Sequence, residues 1–194
     1  MKQEKKKSLY GMTSSALMTA VICMMAPLSI PVGPVSMTMQ NFVLGLTAVV
    51  LGGKRALISY LIYLLLGIAG LPVFSDYSAG IDKIFGPTGG FLIGFLFVIL
   101  FGGLAADWAI RRWGCRHLKT IVCCSLALIG GNCVLYLIGV LWFGYIQQIP
   151  PKASAGVCVV PFIVPDLVKL SLAAFTGLSV RYALGRAGRC PSIR

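Results

Sequence analysis

Apolar residues run along this chain in six long stretches, and polar residues collect in the connections between them. The stretches cover residues 9–25, 38–51, 56–71, 91–110, 121–143 and 161–184. All but the short second one approach the ~20 residues a helix needs to cross a bilayer, so the pattern predicts six transmembrane helices. The connections carry their own signals. Pro27, Pro31, Gly33 and Pro34 exclude a helix interior over 29–37 and predict an extended, ordered loop. Gly52-Gly53-Lys54-Arg55 predicts a tight basic turn. Residues 72–90 form a polar connection too long for a simple link, which predicts a functional loop or lid. Within it Gly86-Pro87 and Gly89-Gly90 allow unusual turns and close approach to a ligand. Residues 147–158, with Pro150-Pro151 and Lys152, read as a loop, and Trp142 and Tyr145 before them as interfacial anchors.

Composition places the chain in a membrane. Of its 194 residues 58% are hydrophobic and 11% charged, against about 25% charged in a soluble domain. Its mean hydropathy is +0.90. The formal net charge of +12 would suit nucleic acid in a soluble protein. Location excludes that here, because the basic residues sit in short connections beside apolar runs. All seventeen Lys and Arg except Lys83, Lys152 and Lys169 fall at the N-terminus, at Lys54-Arg55, between Arg111 and Lys119, or at the C-terminal end. The alternation predicts both termini in the cytoplasm. It divides the chain into a basic cytoplasmic tail (1–8), one six-helix membrane domain (9–185) and a basic cytoplasmic C-terminal tail (186–194). The 29–37 and 72–90 connections and the start of the sixth run then lie at the outer face. No cleavable signal is expected. The expected surroundings are lipid, and nucleic acid is not an expected partner.

Two charges sit in the first half of the last apolar run. Asp166 and Lys169 stand three residues apart, so a helix places them on nearly one face. A charge at bilayer depth costs roughly 2.5–3.5 kcal/mol on insertion scales and persists where it pairs, faces a cavity or meets a ligand. Either the two form a structural ion pair, or they offer an acceptor and a cation to one small polar ligand. A ligand with urea-like N–H groups and an acid tail would suit them. Asn132 and Gln40 are amides able to donate and accept; Asn132 also suits an interhelical hydrogen bond. Asp107 is expected to pair with Arg111, Arg112, Arg116 or Lys119. Ala16 and Ala20, near Thr13, Ser15 and Thr19, make a small-residue helix face that suits packing inside the protein or docking of a membrane partner.

Other chemistry is sparse. His117 is the only histidine and lies among arginines, which argues against a histidine-based metal or nucleophilic site in the membrane. The seven cysteines show neither ligand spacing nor a disulfide framework and read as small packing residues. No phosphate-binding Gly-x-x-x-x-Gly-Lys-Ser/Thr loop is present, so active transport would need an ion gradient or a separate ATPase. Internal repeats, common in gradient-driven carriers, are not evident, which favours a binding subunit that borrows energy. An intramembrane enzyme ranks last, since Asp166 with Lys169 and scattered cysteines are all the spans offer.

Four motifs carry a family resemblance. Pro31-Val-Gly-Pro-Val-Ser-Met-Thr-Met-Gln-Asn-Phe42 resembles the first outer loop of the BioY family, the biotin-specific substrate-binding components of energy-coupling-factor (ECF) transporters. Leu71-Pro-Val-Phe74, followed by Phe85-Gly-Pro-Thr-Gly-Gly-Phe-Leu-Ile-Gly94, is similar to its next outer segment. Gly131-Asn132, Tyr136, Gly139 and Trp142 look like its fifth span, and Pro161-Phe-Ile-Val-Pro-Asp-Leu-Val-Lys-Leu170 like its sixth. The likeness runs from about Ala16 to Ala183.

The resemblance implies an all-α, six-helix ECF S-component fold with biotin near the outer face, no cofactor and no enzymatic activity of its own. It implies that Asp166 accepts from the ureido nitrogens and Lys169 binds a polar end of the ligand, with Asn132, Gln40 and Tyr136 as liners. The loop from Asp76 to Gly90, with Gly86, Gly89 and Gly90, would cover the pocket. Where the family places an asparagine in a Gly-rich stretch, this chain reads Ser75-Asp-Tyr-Ser-Ala-Gly80, and Asp76 or Ser78 takes that place. Ala16 and Ala20 resemble the surface that docks on the coupling protein, which with two ATPase subunits would drive uptake across the bacterial cytoplasmic membrane. The alternatives are an S-component for riboflavin or thiamine, or a solitary biotin transporter.

Overall fold

The computed structural model describes residues 2–32 and 35–186. Gly33 and Pro34 of the expected loop, and Arg189, Cys190 and Arg194 of the expected C-terminal tail, lie outside the described residues. Each apolar run becomes a helix, the form that satisfies every backbone polar group internally when no water is at hand. The helices are α1 (Lys2–Met25), α2 (Gln40–Leu51), α3 (Gly53–Ile68), α4 (Asp82–Phe85), α5 (Gly89–Trp113), α6 (Leu118–Gln147), α7 (Pro151–Cys158) and α8 (Ile163–Arg186). Strands β1 (Ser29–Val32) and β2 (Val35–Thr38) pair antiparallel, with Ser29 opposite Thr38 and Pro31 opposite Ser36. The stretch read as an extended loop is thus a hairpin. A two-stranded ribbon has only edge strands, where proline is tolerated.

Three helical stretches among the described residues are long and apolar enough to cross a membrane: Gly89–Trp113, Leu118–Gln147 and Pro151–Leu184. Leu9–Met25 and Gln40–Leu51 are apolar but shorter. Two local expectations change. Residues 147–158 are not a plain loop, because Pro151 begins α7 at a position where its missing N–H costs nothing. The sixth run opens with a 3-10 turn, Val160–Phe162, before α8 starts.

Helix α2 organises the packing. It touches α1, α3, α5 and α8. Nine of its twelve residues are buried, including Gln40, Asn41 and Thr47, as expected of a helix enclosed on all sides. Twelve residues span only about 18 Å, well short of the ~30 Å hydrocarbon layer. The α5–α6 pair forms the most extensive contact, at a site where α6 has no side chain: a Cβ on Gly131 would stand 2.6 Å from the Val98 Cα. On α1, Ser15 and Thr19 face inward. Thr19 Oγ1 donates to the Ser59 carbonyl at 3.2 Å, and Ser59 Oγ donates to the Ser15 carbonyl at 3.1 Å. Ala16 and Ala20 point outward and are exposed.

At the opposite end of α2 from the hairpin lies a charged latch. Arg181 of α8 is 1% exposed. It donates to Asp107 of α5 at 2.5 Å and to the Val49 carbonyl, in the last turn of α2, at 3.0 Å. The Gly53 N–H donates to the other Asp107 oxygen at 3.2 Å. Gly52 has φ +80°, and a Cβ there would meet Asp107 at 2.5 Å, so the turn admits only glycine. The expected pairing of Asp107 with Arg111, Arg112, Arg116 or Lys119 is therefore corrected. Arg111 and Arg112 are exposed on the final turn of α5, whereas α8 delivers a buried guanidinium from 74 residues away.

Removing Asp107 leaves a buried arginine without its carboxylate, a change that costs about 3–5 kcal/mol. Asp107→Ala is expected to lower the melting temperature of the detergent-purified protein sharply, and Arg111→Ala or Arg112→Ala to leave it nearly unchanged. Equal shifts from all three would contradict the latch.

Candidate functional site

A hollow opens between the hairpin, the start of α2, the 72–88 connection, α5, α6 and the start of α8. Its empty space, counted together with the part open to solvent, is about 820 Å³. Phe91, Leu92 and Phe95 of α5 and Phe162 supply its apolar walls, and Cys158 also lines it. Polar groups converge from α2, α6 and α8. Asp166, 7% exposed, sits in the first turn of α8, where the positive end of the helix dipole favours a carboxylate. Its Oδ2 accepts the Tyr136 hydroxyl at 2.6 Å, and its Oδ1 lies 3.7 Å from Lys169 Nζ. Asn41 Nδ2 donates to Asn132 Oδ1 at 3.0 Å, tying α2 to α6.

Two neighbouring atoms are left over. Gln40 Nε2 and Asn41 Oδ1 are buried with no hydrogen-bond partner, and both residues line the hollow. An unmet buried group costs about 1–3 kcal/mol, so such atoms beside a cavity suit a ligand that supplies the missing bonds. Together with Asp166 they present one donor and two acceptors, the complement of a group carrying a carbonyl between two N–H bonds.

The cover is built from the hairpin and the 72–88 connection. Phe74, 1% exposed, anchors that connection edge-on against Tyr63 of α3, with ring centroids 5.6 Å apart. Asp76 and Tyr77 then adopt left-handed backbone, with φ 59° and 54°, a region where Asp is better tolerated than most residues. The turn aims the Asp76 carboxylate at the hairpin. Ser29 donates to it at 2.5 Å and Ser36 at 2.8 Å. The Ser29 hydroxyl, with Ser36 and nearby Lys83, holds the Asp76 carboxyl below its usual range, against a smaller upward push from partial burial. Lys169 pins the other end of the strand, donating to the Thr38 carbonyl at 2.9 Å. Trp142 holds the connection from below, donating through Nε1 to the Gly86 carbonyl at 2.9 Å. It is thus a tether as well as an aromatic near a helix end; Tyr145 is exposed.

Of the expected site residues, Asp166, Gln40, Tyr136 and Asp76 line the hollow. Asn132 stands one hydrogen bond behind it, through Asn41, and makes the interhelical bond that its chemistry allowed. Lys169 lies between Asp166 and β2, outside the lining. Ser78 turns back on its own loop and donates to the Ser75 carbonyl at 2.6 Å. Gly86, Gly89 and Gly90 do not line the hollow, and none has a positive φ. Their small size admits the protein itself: a Cβ on Gly89 would collide with the Ile84 carbonyl, and one on Gly90 with Trp142. Asn41 and Lys83, absent from the expected set, also line the site. Asn41 was signalled by its place beside Gln40, and Lys83 by being a lone cation in a connection poor in basic residues.

Comparison with known proteins gives a consistent picture. The model of the family described as "BioY family" matches residues 1–186. A protein named biotin transporter BioY2, from Lactococcus lactis subsp. cremoris, is 34% identical over 181 residues, covering 93% of this chain and 95% of its own. A probable biotin transporter BioY from Pyrococcus horikoshii is 38% identical over 158 residues, covering 81% and 88%. Among solved structures, an S-component for biotin from an ECF-type ABC transporter superposes with a TM-score of 0.77 at 26% identity, covering 90% of this chain and 92% of that one.

The Asp76 tie has a defined pH signature. A carboxyl whose folded-state pKa is lowered adds stability above its ordinary range, and that stability is lost as pH falls through the lowered value. The amide protection factors of residues 35–38 are therefore expected to hold from neutral pH through the ordinary carboxylate range and to fall only below it. In Asp76→Ala the protection is lower above the lowered value, and the two proteins converge below it. Identical profiles for the two proteins would show that Asp76 does not secure the hairpin.

Proposed function

The chain belongs to the BioY family, and from that premise we propose that it captures biotin with high affinity as the substrate-specific subunit of an ECF-type transporter. The observation that carries this reading is the polar end of the hollow. Asp166 supplies an acceptor for a ureido N–H, the unmet Asn41 Oδ1 a second acceptor, and the unmet Gln40 Nε2 a donor for the ureido carbonyl. The aromatic walls suit the fused rings and hydrocarbon tail. Tyr136 and Lys169 steady the Asp166 carboxylate so that it meets the ligand already oriented. The hairpin and the 72–88 connection close over the bound vitamin.

Six helices, α1, α2, α3, α5, α6 and α8, form the membrane domain, with both termini in the cytoplasm and the hollow towards the outside. The alternation of basic connections supports this orientation. The short α2 fits a helix whose outer end stops at the ligand, leaving the remaining depth to the hollow and its cover. The protein resides among the lipids of the bacterial cytoplasmic membrane. A membrane coupling protein docks on α1 at Ala16 and Ala20, which are exposed while Ser15 and Thr19 face inward. Two ATPase subunits supply the energy for delivery, since this chain holds no nucleotide-binding loop.

Labelled biotin is expected to bind the purified protein at submicromolar concentration. Binding of riboflavin or thiamine instead would move the chain to another vitamin. Uptake in cells that lack every coupling and ATPase subunit would make it a solitary transporter. Asp166→Asn replaces a charged acceptor by a weaker one. Loss of a charge-assisted hydrogen bond, at about 1.5–3 kcal/mol, is expected to weaken biotin binding roughly tenfold to a hundredfold. Unchanged affinity in that variant would remove Asp166 from the site.

A further inference from the structure

We infer that Lys83 is the specificity-determining cation of this site, and that it recognises the carboxylate at the end of the ligand's tail. The inference rests on the biotin reading above and adds the residue that distinguishes the free acid from its neutral derivatives. Lys83 of α4 is the one cationic side chain lining the hollow among the described residues. It is half-buried and makes no ion pair or hydrogen bond there. Lys169, the other cation near the site, gives its ammonium to the Thr38 carbonyl and to Asp166.

The geometry along β2 separates the two ends of the ligand. The Thr38 carbonyl accepts from Lys169 beside Asp166, and Ser36, two residues away, donates to Asp76, whose carboxylate feels Lys83. Two residues of strand span about 7 Å. The head of the ligand thus meets Asp166, Asn41 and Gln40, while its tail runs along the strand towards Lys83. Asp76 does not compete for the cation as a close partner. Its two oxygens are taken by the Ser29 and Ser36 hydroxyls, and no contact within ion-pair distance joins it to Lys83. Asp76 and Lys83 stand close enough to attract each other, which keeps the ammonium near the cover. A tail carboxylate that reached Lys83 would therefore add a bond between cover and ligand, so that the free acid holds the cover shut and a neutral tail does not.

The test compares biotin with its uncharged carboxamide on the unaltered protein and on Lys83→Gln. The unaltered protein is expected to prefer biotin about tenfold or more, the range for one charge-assisted contact. In Lys83→Gln that preference falls towards one, because biotin weakens while the carboxamide keeps its affinity. Lys83→Arg retains the preference, and Lys83→Glu favours an analogue ending in an amine over biotin. If Lys83→Gln keeps the full preference, or weakens acid and amide equally, Lys83 does not read the tail. If the unaltered protein binds neither ligand, the biotin reading itself fails.

Discussion

A carboxylate among apolar helices needs partners, and the way Asp166 obtains them sets the arrangement around it. Tyr136 donates from α6, Lys169 approaches from the next turn of α8, and Lys169 also reaches the Thr38 carbonyl. One charge thus joins a helix pair to the hairpin. The Asn41–Asn132 bond adds α2 to the same cluster. Had Asp166 and Lys169 closed fully on each other, the site would be a structural ion pair and nothing more. Their 3.7 Å separation, with the stronger bonds going elsewhere, leaves the carboxylate presented to the hollow.

The two ends of α2 are treated in opposite ways. At its C-terminal end every group is drawn inward, where Arg181 bonds both Asp107 and the Val49 carbonyl, and Gly52-Gly53 lets Asp107 approach. At its N-terminal end Gln40 and Asn41 keep unmet polar atoms beside an open space. The cover over that N-terminal end is held by short ties, chiefly Asp76 with Ser29 and Ser36, Lys169 with Thr38, and Trp142 with Gly86.

Much of this was legible in the chain. The apolar runs located α1, α2, α3, α5, α6 and α8, because a continuous apolar segment has few folded alternatives to a helix. The basic turns fixed the breaks between them. The i, i+3 spacing of Asp166 and Lys169 foretold that the two side chains lie together, since helical geometry carries that relation directly into space. What could not be read was long-range. Asp107 is four and five residues from Arg111 and Arg112, yet its partner is Arg181, and nothing local announces that an α8 side chain reaches it. The hairpin escaped for another reason: prolines exclude helix but do not say whether an extended segment pairs with itself. Gly89 and Gly90 were read as room for a ligand, but the room is filled by Ile84 and Trp142. Lys83 stood out in the sequence only as a basic residue apart from the clusters, because only the fold of the connection brings it to the hollow.

The unmet amides of Gln40 and Asn41 show which way the free energy has been traded. Burial without a partner costs about 1–3 kcal/mol for each group, and apolar replacements in the same space would remove that cost. The folded protein is therefore less stable than this backbone allows where α2 begins beside the hollow. A ligand that satisfies both atoms recovers the lost free energy on binding, and its affinity rises by the amount the empty site forgoes. A partner lacking either the carbonyl or the second N–H would leave one atom buried and unmet, so the same deficit that weakens the empty fold also rejects the wrong vitamin. On the proposed reading, discrimination at the polar head thus rests on a shortfall in hydrogen bonding at the end of one short helix.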